Sequence, residues 1–124
     1  MAYTAIVLTP EAVSRAKSAA RLFGISEGCD KFLCHHVTLA FGHDGSKFNV
    51  GEKRRLIVTH YGLTSGRICA FLVKGAEDSW NSTPHLTIAL NSKNGTRPVE
   101  ANNIVGWVPL NEPFYLDGVV EVCQ

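Results

Sequence analysis

Two short segments of this chain carry the same pattern of side chains. Residues 36–41 read HVTLAF and residues 85–90 read HLTIAL, 49 positions further along. In an extended strand, side chains at positions i and i+2 point to the same face. His36 and Thr38 would therefore share one face, as would His85 and Thr87. Two imidazoles and two hydroxyls are the groups needed to hold a phosphate and to transfer protons on both sides of it.

The repeated pattern exceeds what the composition predicts. The chain has 5 histidines, and His35, His43 and His60 lack the pattern. Two matches to the template histidine–apolar–Ser/Thr–apolar among five histidines occur in fewer than about 1% of shuffled sequences. One such segment alone is typical of an ordinary amphipathic strand. The pair indicates a shared site, with His36 and His85 as proton-transfer groups and Thr38 and Thr87 as phosphate ligands.

The two segments should form strands that bury their other face, because apolar residues alternate with the polar ones. The residues predicted to bury are Val37, Leu39, Phe41, Leu86, Ile88 and Leu90. The first segment is predicted to belong to one strand over residues 32–41, followed by a turn at Gly42, Asp44 and Gly45. The second is predicted to begin at His85, after Pro84.

Further elements are predicted around these strands. Strands are expected at residues 3–8, 55–62, 68–73 and 114–122, a helix at residues 10–23 and a short helix at residues 98–105. Thr9 and Pro10 form a helix-entry signal, and Gly24 is a stop signal. The mixed order of strands and helices predicts an α+β fold with a largely antiparallel sheet, formed by residues 1–124 as a single domain.

Composition restricts the partners of this domain. The net charge of +1 argues against long duplex nucleic acid, which requires a broad basic face, and favours a small phosphate ligand. The longest apolar stretches are strand-sized, so no membrane partner is expected.

No secretory signal is visible, so Cys29, Cys34, Cys69 and Cys123 are expected to be reduced thiols in the cytoplasm, or in the host cytoplasm if the protein is viral. The oligomeric state is not predicted.

The paired histidine–x–threonine pattern resembles the 2H phosphoesterase superfamily, which has two such motifs on facing strands. Residues 34–39 (CHHVTL), followed by Phe41 and Gly42, look most like the branch that contains cyclic-phosphodiesterase domains of tRNA ligases. Residues 95–99 (GTRPV) are similar to a loop in that branch. The resemblance implies a compact bilobed fold, with a sheet that forms a central groove and one or two helices outside it.

The resemblance also implies metal-independent hydrolysis of a phosphodiester on a small nucleotide or an RNA end. The bond would be a 2′,3′-cyclic phosphate, a 2′–5′ bond or a cyclic-oligonucleotide bond, and no cofactor is expected. Lys93 and Arg97 could neutralise the phosphate, and Tyr3 could stack on a base. One alternative is a module that binds a cyclic nucleotide in the same groove without cleaving it. Another is a structural domain with an incidental repeat.

Other interpretations of individual residues are weaker. Cys29, Cys34 and His36 could begin a zinc site, but no fourth ligand is evident, and no metal is predicted. His35 should face away from His36 and be a structural histidine. Trp107 and Tyr115 are further candidates for stacking on a base, although a structural role is favoured for both.

Overall fold

The computed structural model describes residues 2–42 and 46–124. Its strands are β1 (Tyr3–Leu8), β2 (Lys31–Phe32), β3 (His36–Phe41), β4 (Lys53–Thr64), β5 (Ile68–Lys74), β6 (His85–Leu90) and β7 (Val108–Cys123). The helices are α1 (Pro10–Phe23) and two 3₁₀ helices, Ser92–Asn94 and Pro98–Asn103. The predicted turn residues Asp44 and Gly45 lie outside the described residues.

All seven strands form one sheet in the order β2-β6-β5-β4-β7-β1-β3, and each neighbouring pair is antiparallel. The long strands β4 and β7 lie in the middle, and the two repeated segments lie in opposite halves. The sheet is strongly curved, so that β3 and β6 come into contact. The α+β class and the antiparallel sheet with a central groove are confirmed.

Helix α1 covers one face of the sheet. The Thr9 side chain accepts a hydrogen bond from the Ala12 amide (3.2 Å), and Gly24 ends the helix at a φ of 71°. Ala12, Ala16 and Ala20 pack into the main core, because small side chains at helical spacing allow close approach to the sheet. No helix of the described residues is long and apolar enough to cross a membrane.

The chain between α1 and β3 joins the two halves of the sheet. The amides of Leu33 and Cys34 donate to Ile88 (2.8 Å) and Thr87 (3.0 Å) of β6, whereas the residues from His36 onward pair with β1. Cys34 makes the change of direction at a φ of 39°, in the left-handed region. The prediction of one strand over residues 32–41 was therefore wrong, because this turn divides the segment between two partners.

Both repeated strands contain a bulge at the same position. Ala5 pairs with Thr38 and Thr4 with Ala40, which leaves Leu39 as the extra residue of β3. The same irregularity makes Ile88 the extra residue of β6. Leu39 lies three positions after His36, and Ile88 lies three positions after His85. The two repeated strands therefore share a backbone irregularity as well as a side-chain pattern.

The bulge explains one error in the predicted core. Val37, Leu39, Leu86 and Ile88 are buried in the main core as predicted. Leu90 is buried in a second cluster with Ala101 and Ile104, and Phe41 is 72% exposed. One extra residue reverses the side on which later side chains point. Phe41 therefore faces the groove side of β3, where its ring contacts that of Tyr3 (centroids 5.7 Å apart).

Candidate active site

A groove of about 600 Å³ lies between β3 and β6. His36 and Thr38 line it from β3, and His85 and Thr87 line it from β6. All four side chains are half-buried. The structure thus brings the four residues of the repeated pattern to one cavity, where a ligand could contact all of them.

The imidazole of His36 is packed between two other rings. Its Nδ1 lies 3.1 Å from Nδ1 of His35, and its ring centroid lies 5.1 Å from that of Tyr3. In such a nitrogen–nitrogen contact, one ring donates its N–H and the other accepts. With Nδ1 occupied in this way, Nε2 is the nitrogen of His36 that is left to act on a ligand.

His36 is neutral at physiological pH. Burial, together with the neighbouring His35 and His85, lowers the pKa of His36 from its ordinary value to about 4. Desolvation and nearby positive charge both disfavour the imidazolium form. An unprotonated imidazole in a ligand-sized cavity is suited to accept a proton.

His85 is oriented by the main chain. Its Nδ1 lies 3.0 Å from the carbonyl oxygen of Thr83. A carbonyl can only accept, so Nδ1 of His85 must donate the hydrogen bond. This contact fixes the ring and leaves Nε2 of His85 to exchange a proton with a ligand.

His35 does not face away from His36, and that prediction was wrong. The two Nδ1 atoms are in contact, and His35 also lines the groove. The prediction assumed strict alternation along a strand. The left-handed turn at Cys34 precedes His35, so alternation begins only at β3.

The remaining walls of the groove are largely apolar. They include Phe32, Leu33, Leu39, Ala40, Phe41, Trp80, Pro98 and Val99. Phe41 and Trp80 are 72% and 61% exposed, which is high for large aromatic side chains. Within residues 2–42 and 46–124, the lining contains no lysine or arginine. A phosphate in the groove would therefore depend on the hydroxyl and imidazole groups.

Three residues predicted to contact a substrate are not part of the described lining. Lys93 is exposed in the first 3₁₀ helix, and Arg97 is exposed immediately before Pro98, which does line the groove. Tyr3 lies behind His36 and contacts its ring. Their contacts with a substrate stay predictions, and the ring contacts of Tyr3 are with His36 and Phe41.

The two other aromatic candidates differ in position. Trp107 lines a smaller cavity beside His85. Tyr115, on β7, has the guanidinium of Arg55 above its ring at 5.3 Å. Tyr115 is thus part of a cation–π contact on the sheet surface.

The segment between β5 and β6, residues 75–84, contributes Trp80 and Asn81 to the lining of the groove. Asp78 accepts two hydrogen bonds from Arg54 (2.7 and 2.6 Å). The Ser79 hydroxyl donates to the Thr38 carbonyl (3.0 Å), and the Trp80 amide donates to the Leu39 carbonyl (2.8 Å). The segment therefore holds Trp80 against the exposed edge of β3.

Sequence reasoning missed several residues of the groove. Trp80 was not among the predicted site residues, although a tryptophan in a polar segment just before a motif is a detectable signal of a binding surface. Phe41 was assigned to the core. Asn102 lines the groove from the second 3₁₀ helix, and no local pattern distinguishes it.

The cysteines do not join the histidines in a metal site. Cys34 is buried, and its thiol lies 3.8 Å from the Val13 carbonyl, to which it can donate. Burial raises the pKa of Cys34 to about 11, which keeps the thiol protonated. In the described part of the chain, no group of three or more His, Cys, Asp and Glu side chains could hold a metal ion.

The arrangement combines a neutral imidazole, an oriented second imidazole and two hydroxyls in one cavity with apolar walls. Such a set of groups can bind a phosphodiester and move protons on both sides of it. No protein-family model and no curated protein sequence matches this chain.

Proposed function

We propose that the protein is a metal-independent phosphodiesterase that acts on a small nucleotide or an RNA end. The bond cleaved would be a 2′,3′-cyclic phosphate, a 2′–5′ bond or a cyclic-oligonucleotide bond. The main support is that two His-x-Thr pairs from distant parts of the chain line one groove. The resemblance to the 2H phosphoesterase superfamily gives the same expectation from the sequence.

The charge of the groove supports a diester as the substrate. A phosphodiester carries one negative charge, whereas phosphomonoesters and polyphosphates carry more. The described lining offers the imidazoles of His35, His36 and His85 and two threonine hydroxyls, but no lysine or arginine. One imidazolium and two hydroxyl donors can balance a single charge.

The apolar walls support a nucleotide as the substrate. Ligand pockets are typically lined by apolar and aromatic side chains with a few polar groups that fix the orientation. Phe41 and Trp80 present exposed rings on which a base can stack. A base and ribose against these walls would bring the phosphate to the histidines.

The different environments of the two histidines suggest their roles. In the proposed step, Nε2 of His36 takes a proton from a water molecule, and the water oxygen forms a bond to phosphorus. The bond from phosphorus to the leaving oxygen breaks, and Nε2 of His85 gives that oxygen a proton. The products are a phosphomonoester and an alcohol, and the proton on His36 returns to His85 through solvent. Thr38 and Thr87 donate hydrogen bonds to the non-bridging oxygens, where negative charge increases.

The low pKa of His36 predicts an unusually acidic limit of activity. The base must be unprotonated, so kcat/KM should fall only as pH drops through about 4, the pKa of His36. An unperturbed histidine would give this limb near 6.5. The measurement is kcat/KM from pH 3.5 to 7, with circular dichroism as a control for folding at each pH. A fall in kcat/KM on acidification with its midpoint near pH 6.5 would contradict the assignment of His36 as the base.

The test of the proposal is turnover of a substrate panel in the presence of EDTA. The panel contains 2′,3′-cyclic mononucleotides, 2′–5′ and 3′–5′ dinucleotides and cyclic dinucleotides. We expect EDTA-resistant cleavage of at least one class. Tight binding of one compound that is recovered intact would overturn the catalytic proposal and favour a sequestering module. Neither cleavage nor binding would leave the repeated strands with a structural role.

We also infer a cytoplasmic location, in the host cell if the protein is viral. All four cysteines, Cys29, Cys34, Cys69 and Cys123, are free thiols. Free thiols are typical of reducing compartments, where cyclic nucleotides and RNA ends also occur.

A further inference from the structure

A second cavity, of about 290 Å³, adjoins the groove. His85, Asn81 and Asn102 line both cavities. Thr83 and Trp107 belong to the lining of the second cavity only. His85 therefore borders two cavities, of which one is also lined by His36 and the other is not.

A hydrogen bond marks the boundary between the two cavities. The side-chain amide of Asn81 donates to the side-chain oxygen of Asn102 at 3.2 Å. Asn81 belongs to the segment before β6, and Asn102 belongs to the second 3₁₀ helix. Because these two side chains line both cavities, a molecule in contact with them could extend from one cavity into the other.

We propose that the second cavity binds the leaving nucleoside, so that the substrate is a phosphodiester with a nucleoside on each side. This inference rests on the proposed function. The acid must lie next to the leaving oxygen, because it protonates that oxygen as the bond to phosphorus breaks. The group attached to the leaving oxygen must then lie on the side of His85 that is away from His36. The second cavity is lined by His85 but not by His36, and we place that group there.

The size of the second cavity agrees with a nucleoside. Ligand sites in proteins have volumes of about 300–1,000 Å³. The groove, at about 600 Å³, is in the middle of this range, and the second cavity, at about 290 Å³, is at its lower limit. A 2′,3′-cyclic mononucleotide releases an oxygen of its own ribose, so it would leave the second cavity empty.

The chemistry of the lining agrees as well. The lining contains side chains that can donate hydrogen bonds to the edge of a base and accept them from it: Asn81, Ser82, Thr83 and Asn102. Trp107 adds an aromatic ring for stacking. This ring packs closely on Gly62 of β4, where an added Cβ would lie 2.5 Å from it. The second cavity is thus more polar than the groove.

The experiment compares two esters that differ only in the leaving group. One is a dinucleoside phosphate with the 2′–5′ or 3′–5′ linkage, and the other is the methyl ester of the same nucleotide with the same linkage. For the wild type, we expect kcat/KM to be about 10–100-fold higher for the dinucleoside phosphate, which corresponds to the stacking of one base. The ratio of the two values is independent of the fraction of folded enzyme.

A variant that fills the cavity adds a second readout. Ser82 is exposed and lines the second cavity but not the groove. Ser82→Trp should lower the preference for the dinucleoside phosphate at least about tenfold, since the lost stacking contact has that value. The matched control is Ser65→Trp, at an exposed turn between β4 and β5, which should keep the preference.

Failure of this inference differs from failure of the proposed function. Equal rates for both esters, or a preference that Ser82→Trp does not change, would overturn the leaving-nucleoside site and leave the phosphodiesterase intact. Cleavage restricted to 2′,3′-cyclic mononucleotides would have the same meaning. Absence of cleavage for every compound would overturn the proposed function and this inference with it.

Discussion

His36→Ala and His85→Ala are each expected to lower kcat by about 10²–10⁴-fold, the usual contribution of a general acid or base. His36 supplies a neutral imidazole, because burial holds its pKa at about 4. His85 is fixed by its hydrogen bond to the Thr83 carbonyl. Since both would act in one transition state, the double variant should be scarcely slower than the slower single variant.

The matched control for these variants is His60→Ala. His60 lies on β4, and its Nδ1 contacts the hydroxyl of Thr59 at 2.8 Å. It is half-buried and outside the described lining of the groove, so we expect its replacement to leave kcat of the folded enzyme within about threefold. Turnover near the wild-type value in either His36→Ala or His85→Ala would disprove the two-histidine mechanism.

The same variants can separate the acid from the base. A p-nitrophenyl ester has a leaving group that departs without a proton, so it needs little help from a general acid. With this ester, His85→Ala should recover most of its lost rate, whereas His36→Ala should not. The opposite result would exchange the two roles but keep the mechanism.

Thr38→Val and Thr87→Val are expected to lower kcat by about 10²–10³-fold each, the range found for loss of one donor to a developing negative charge. Valine keeps the branched shape, so the strand packing of β3 and β6 is preserved. The effect should be large because the described groove has no lysine or arginine that could replace the lost donor.

Steady-state kinetics with one matched control tests this prediction. Thr64→Val changes an exposed threonine at the end of β4 and should leave kcat unchanged. Because the donors act mainly in the transition state, kcat should fall more than KM rises. A rise in KM with unchanged kcat would instead assign Thr38 and Thr87 to ground-state binding.

Much of the fold could be predicted because local signals agree with the tertiary structure. Thr9, Pro10 and Gly24 set the limits of α1 at Pro10–Phe23, as predicted. The second repeated strand begins at His85 and ends at Leu90, as predicted. The short helix predicted at residues 98–105 is present as the 3₁₀ helix Pro98–Asn103. In each case, a capping residue or a proline marks at least one boundary of the element.

The length of the last strand was underestimated because two prolines lie within it. A strand was predicted only at residues 114–122, but β7 runs over Val108–Cys123. Pro109 and Pro113 interrupt the pattern that identifies a strand. The structure accommodates them at an irregularity, where Val58 pairs with Phe114 and His60 pairs with Pro109.

The composition of the site was only partly visible in the sequence. The four residues of the repeated pattern could be found because strand alternation applies directly to them. The orientations of His35 and Phe41 and the placement of Trp80 against β3 could not. They depend on the turn at Cys34, on the bulge at Leu39 and on hydrogen bonds from the Ser79 hydroxyl and the Trp80 amide to carbonyls of β3. These are long-range features that no short window contains.

The left-handed turn at Cys34 has a consequence for the energetics of binding. The Cys34 amide is bonded to Thr87 in one half of the sheet, and His36, two residues later, pairs in the other half. Two residues of chain reach at most about 7 Å. The separation of the two strand ends on either side of Cys34 is thus limited by covalent geometry, and we expect a ligand to bind without a large change in it. A substrate would enter a preorganised site, and little conformational entropy of the protein would be lost on association.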